Sequence, residues 1–225
     1  MKTLIFITVL LITFNSFAQV DCRPYVPLEK GTKWELTNYN DKGKELGKIS
    51  SELLDKVENG NTVTFKISSV STDAKGKTTF TNEYEAYCKN GKFEFNMAFK
   101  MDGSTMQAYQ DMDMNVDASD LEIPSMDEKP GTTLPDGPLT VSIGNILNMS
   151  VNIVDRKIEA KETITTPAGS FDCLVLTQTV NTKMLVKIEA TSKEWYAEGV
   201  GMVRSETYNK KGKLSGYSEL TKLEK

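Results

Sequence analysis

The feature that most limits this chain is a side-chain period of two. Val63, Phe65 and Ile67 alternate with threonine and lysine. Phe80, Tyr84, Ala86 and Cys88 hold one parity, while Thr79, Thr81, Glu83 and Glu85 hold the other. Phe93, Phe95, Met97 and Phe99 alternate with Lys92, Glu94 and Asn96. Alternation of this kind marks strands with one face buried and one face wet, the pattern of an antiparallel sheet.

Turn signals punctuate the alternation, and one of them recurs. "YNDKGKELG" begins at Tyr39, "TDAKGKTTF" at Thr72 and "YNKKGKLSG" at Tyr208. A phosphate-gripping loop would need a glycine-rich turn that opens a helix. Each copy sits instead between two alternating segments. Glycine supplies the positive φ of a tight turn, and asparagine or aspartate assists it. The three copies therefore read as hairpin bends with lysine tips.

Most of the remaining chain repeats this scheme. Met101 to Tyr109 reads as a short helix or a loop, and "DEKPGTTLPDGP" at 127–138 is a loop by its prolines and glycines. About ten strands follow one another, and sequential strands usually pair. The expected fold is all-β: one antiparallel meander curled into a barrel or half-barrel, which hides its edges. It occupies residues 19–225 as a single domain.

Residues 1–18 read as a secretory signal peptide. Lys2 precedes the apolar run "LIFITVLLITF", and "SFA" at 16–18 offers small residues at a cleavage site. The run is too short to anchor in a bilayer, and no later segment is apolar for long enough to cross one as a helix. The expected location is outside the cytoplasm, periplasmic or secreted. The net charge of −4 does not steer a chain toward nucleic acid or anionic lipid surfaces.

The chain contains no histidine. That removes the commonest general base near neutral pH, together with Ser-His-Asp and Cys-His catalysis. It also removes the usual zinc and copper sites. No cofactor or metal is expected, and the reading is non-enzymatic. Three cysteines, Cys22, Cys88 and Cys173, allow one bridge in three ways. In a meander Cys22 precedes the first strand and Cys88 ends the fourth, at the same rim, so Cys22–Cys88 is the preferred pair.

Several constellations bear on chemistry. Asp111, Asp113, Asn115, Asp117, Ser119 and Glu122 match EF-hand ligand spacing, but Val116 occupies the glycine position. A strand with acids outward explains the stretch better. Met97, Met101, Met106, Met112 and Met114 read as pliable apolar wall. In "KEWYAEGVGMVRSETY" at 193–208, Gly199 and Gly201 point to a bulge or sharp bend in a strand. Arg204 and Glu206 share a parity with Met202 and Tyr208. They face inward, or the bend reverses the parity and both face water. Arg156 and Glu162 share a parity with Ile158, Ala160 and Ile164.

"DCRPYVPLEKGTKWELTNYNDKGK", "TITTPAGSFDCLVL" and "WYAEGVGMVRSETYNKKGKL" together resemble the TapB-like exported bacterial proteins, grouped as a domain of unknown function (3108-like). The resemblance runs over almost the whole chain after Cys22. It implies an exported all-β domain with a curled sheet like that of periplasmic lipoprotein carriers, in a Gram-negative envelope. It brings no catalytic residues. The first functional expectation is a non-catalytic binding protein for an apolar or amphipathic ligand, such as a lipid. Trp34, Tyr84, Trp195 and Arg204 are its expected lining residues. The alternative is a structural or protein-interaction module of the envelope, with a barrel filled by its own side chains.

Overall fold

Three turns of one design organise one end of the molecule. In the computed structural model, which describes residues 22–97, 114–143, 147–183 and 186–225, the copies at Asn40, Asp73 and Asn209 bend alike. The Asn40 Oδ1 accepts from the backbone N–H of Lys42 and Lys44, both at 2.9 Å. Asp73 Oδ1 accepts from Lys75 and Lys77, and Asn209 Oδ1 from Lys211 and Lys213. Gly43, Gly76 and Gly212 hold φ of 75°, 79° and 72°, a region that side chains with a Cβ rarely enter. The side-chain carboxyl or amide thus replaces a backbone acceptor inside the turn.

The strands are β1 (Lys33–Asn40), β2 (Glu45–Asn59), β3 (Thr62–Asp73), β4 (Thr78–Lys89), β5 (Lys92–Asn96), β6 (Met114–Ala118), β7 (Asp120–Ile123), β8 (Gly137–Ile143), β9 (Leu147–Thr166), β10 (Gly169–Lys183), β11 (Lys187–Ala197), β12 (Gly201–Asn209) and β13 (Leu214–Glu224). They form one 13-stranded sheet in the order β6-β8-β9-β10-β11-β12-β13-β1-β2-β3-β4-β5-β7. All pairings are antiparallel.

The two ends of that order are consecutive in the chain. β6 pairs with β8, β7 pairs with β5, and only Ser119 lies between β6 and β7. The Ser119 N–H donates to Pro138 O at 3.1 Å, and its carbonyl accepts from Met97 N–H at 2.9 Å. One extended segment therefore hands its hydrogen bonds from one edge of the meander to the other. This curls the sheet into a barrel and covers its edges. The meander is the expected one, with more strands than the periodicity indicated. The surplus comes from short pieces and from this handover.

A single cluster fills the inner face. Leu53, Phe65, Ile67, Cys88, Leu121, Ile158, Leu174, Leu176, Val203 and Leu220 are all within 2% of complete burial. Tyr25 closes one end from the N-terminal segment. Its ring meets Phe93 and Tyr196 edge-on, each at 5.9 Å, and its hydroxyl donates to Pro124 O at 2.7 Å. A disulfide joins Cys22 to Cys88, with Cα atoms 5.8 Å apart, and ties this plug to β4.

One local reading changes. Gly199 and Gly201 do not bend one strand. Gly199, with φ of 69°, lies in the turn that separates β11 from β12, and Gly201, with φ of 117°, opens β12. Val200 N–H closes that turn on Ala197 O at 3.2 Å, while the register shift falls at Trp195/Tyr196. Residues 1–18, the helix-or-loop stretch at 101–109, and Met101, Met106, Met112, Asp111 and Asp113 lie outside the described residues. Asn115, Asp117 and Glu122 lie in β6 and β7. Among the described residues no group of three or more metal-ligating side chains converges.

Candidate functional site

Among the described residues, the buried charged side chains, Arg156 and Glu194, share one cluster on the inner face. Arg156, on β9, is 4% exposed. The bulge around Asp155, whose φ is 54°, breaks the β9–β10 register and turns Arg156 inward beside Ile158. Its Nη2 donates to Glu122 O at 2.7 Å, its Nη1 to Pro135 O at 2.8 Å and its Nε to Gln178 Oε1 at 3.4 Å. Gln178 Nε2 donates onward to Glu194 Oε1 at 3.1 Å. Ser192 Oγ reaches the same oxygen at 3.0 Å, and Tyr196 OH reaches Glu194 Oε2 at 2.7 Å.

The electrostatics follow from burial. Desolvation lowers the Arg156 pKa from its ordinary value, and Tyr196 and Glu194 oppose that shift. Desolvation pushes the Tyr196 phenol well up, and the neighbouring Glu194 pushes it further. A buried charge of each sign, held by hydrogen bonds, is costly to disrupt and adds little net stability when intact. Such a cluster fixes geometry. It ties β7 and the β7–β8 connection, through the Glu122 and Pro135 carbonyls, to β10 and β11.

The residues expected to line a pocket divide between two faces. Trp34 and Tyr84 share the inner face, as the register shows: Trp34 opposes Ser51, Ser51 opposes Ser69 and Ile67 opposes Tyr84. Trp34 is 8% exposed and belongs to the core. Trp195 and Arg204 oppose each other on the other face. Trp195 Nε1 donates to Glu162 Oε1 at 2.6 Å, and Lys193 Nζ lies 4.7 Å from its ring. Arg204 bonds Glu206 at 2.8 Å and Glu219 at 3.1 Å and covers the Tyr217 ring at 4.7 Å. Of the two alternatives for Arg204 and Glu206, the outward one holds. The four side chains do not meet in one pocket.

A family model described as DUF3108-like matches residues 29–220. The chain belongs to the DUF3108-like family. No curated protein matches it. A Bacteroides fragilis protein, proposed to be exported and described as having a YmcC-like fold, is 26% identical over 91% of this chain and 100% of its own, with a TM-score of 0.80. A Parabacteroides distasonis protein, proposed to be a lipoprotein, gives 0.81 at 23% identity over the same shares and supports the fold alone.

In this DUF3108-like chain the sequence reading noticed Arg156 but missed Gln178, Ser192 and Glu194. A signal existed. Gln178 shares a parity with Leu174 and Leu176, and Glu194 lies between Ser192 and Tyr196 at period two. A glutamate and a glutamine on buried parities need a cationic or donor partner.

Two recesses lie at opposite ends of the barrel. One of about 120 Å³ lies beside the disulfide, against Cys22, Pro24, Leu28, Lys56, Val63 and Phe65. A cleft of about 490 Å³ at the other end is lined by Ser150, Asn152, Asn181, Thr182, Val186 and Lys187.

Proposed function

We propose that this protein is an exported, non-catalytic module of the bacterial envelope, with a barrel filled by its own side chains, which acts through its rim. One observation carries the reading. The buried arginine, the group best suited to hold an anionic headgroup inside the barrel, spends all three nitrogens on protein acceptors. Export is supported by the signal-like N-terminus and by the description of the Bacteroides fragilis relative. The absence of histidine supports the non-catalytic part.

Native mass spectrometry of the mature protein, purified from its own envelope, tests the reading. The organic extract is analysed in parallel. The expected mass is that of the chain alone. A stoichiometric bound small molecule would replace this reading with the carrier one and identify the ligand class.

A further inference from the structure

The net charge of −4 conceals a strongly uneven distribution. The three recurrent turns, 40–44, 73–77 and 209–213, carry seven lysines against Asp41 and Asp73. They connect β1 to β2, β3 to β4 and β12 to β13. In the sheet those six strands are consecutive, β12-β13-β1-β2-β3-β4. Neighbouring tips are therefore two strands apart, roughly 10 Å along the rim. All three lie at the end of the barrel opposite the Cys22–Cys88 plug, because antiparallel strands alternate their connections between the two ends.

Most of that charge is unspent. Among the described residues Lys213 pairs with Asp41 at 3.5 Å and Lys210 with Glu189 at 3.9 Å. Lys42, Lys44, Lys75, Lys77 and Lys211 form no ion pair among the described residues. Apolar side chains are exposed on the same rim. Leu46, second in β2, is 54% exposed; Val186, just before β11, and Ile188, near its start, are 67% and 56% exposed. Just below the tips Tyr39 and Tyr217 stack at 4.9 Å.

We infer that this rim docks on an anionic lipid surface; the inference rests on, and deepens, the reading of a module that acts through its rim. Lysines alone would suit any polyanion. Lysines interleaved with exposed aliphatic groups, with tyrosine behind them, suit the boundary between headgroups and acyl chains. There the ammonium groups meet phosphate while the apolar groups leave water. Attraction of this kind adds roughly fivefold in binding per lysine near the surface and is screened by salt.

The test is co-sedimentation of the mature chain with vesicles. One set is pure phosphatidylcholine, and the other contains added phosphatidylglycerol. Binding is expected only to the second set and is expected to fall with salt. The triple variant Lys42→Gln/Lys75→Gln/Lys211→Gln changes the lysine before each turn glycine and leaves the backbone N–H bonds in place. It should lose about a hundredfold in binding, while the matching Lys→Arg variant keeps it. Equal binding to both vesicle types, or an unchanged triple variant with a wild-type melting curve, would overturn the inference. Binding to soluble dextran sulfate but not to vesicles would overturn the lipid assignment. A small molecule in the native mass spectrum would instead overturn the packed-barrel reading, and vesicle binding would be unaffected.

Discussion

Gln178 joins Arg156 to Glu194: its Oε1 accepts from the guanidinium at 3.4 Å and its Nε2 donates to the carboxylate at 3.1 Å. Each charge is buried, so neither can be removed alone without stranding the rest. Arg156→Met leaves the carboxylate without its cation and frees the Glu122 and Pro135 carbonyls. It should destabilise the fold by about 3–5 kcal/mol. The double variant Arg156→Met/Glu194→Leu should cost less than the sum of the single ones. Urea titrations of the four proteins check this, and strict additivity would mean that the pair is uncoupled.

Alkali should weaken the fold earlier than acid chemistry alone explains. Burial raises the Cys173 thiol from 9.0 to about 12, with Asp172 and Glu162 adding to the shift. Burial also raises the Tyr196 phenol from 10.0. In both cases the folded state holds its proton more tightly than the unfolded state. The stability they confer is therefore complete below the unfolded pKa and is lost as pH rises through the folded one. The melting temperature should decline from about pH 9 upward, and Cys173→Ala should flatten the first part of the decline. In the native protein the Cys173 thiol should resist iodoacetamide, because thiolate and access are both suppressed.

How much of this was legible in the sequence depends on how local the cause is. The three DKGK-type turns were readable because Asn40, Asp73 and Asn209 act on backbone groups two and four residues away. The facing of β3, β4 and β5 followed from strict alternation. Parity failed where a bulge intervened. Arg156 and Glu162 share a parity in the chain, yet Arg156 is buried and Glu162 exposed. The register shift at Val175/Leu176 lies between their partners. The handover at Ser119 was invisible for another reason. Which neighbour a strand pairs with is a property of the closed sheet, and a run such as "NVDASDLEI" has the same alternation whether it pairs with one strand or two.

Reduction should loosen one end before the rest. The disulfide closes a 66-residue separation, worth about 4 kcal/mol by loop entropy. Cys88→Ser also releases the segment that carries Tyr25. The expected result is a lower urea midpoint, with faster amide exchange in residues 22–32 and at the Phe93 and Tyr196 contacts. Identical midpoints with and without reductant would show that the plug is held by packing alone.

The outer face gives the last prediction, and it separates packing from binding. Trp195 is 5% exposed although it faces away from the barrel interior. Lys193 lies over its ring, and Glu162 accepts its N–H. A tryptophan so enclosed belongs to the fold, so Trp195→Ala should cost about 3–5 kcal/mol. Glu162→Gln keeps an acceptor of similar reach but removes the charge that also attracts Lys193 at 3.8 Å. Its cost should be well under that, since exposed ion pairs contribute little. Acrylamide quenching should reach Trp195 slowly in both the wild type and Glu162→Gln. A small molecule that changed Trp195 fluorescence saturably and raised the melting temperature would instead make the tryptophan part of a binding surface.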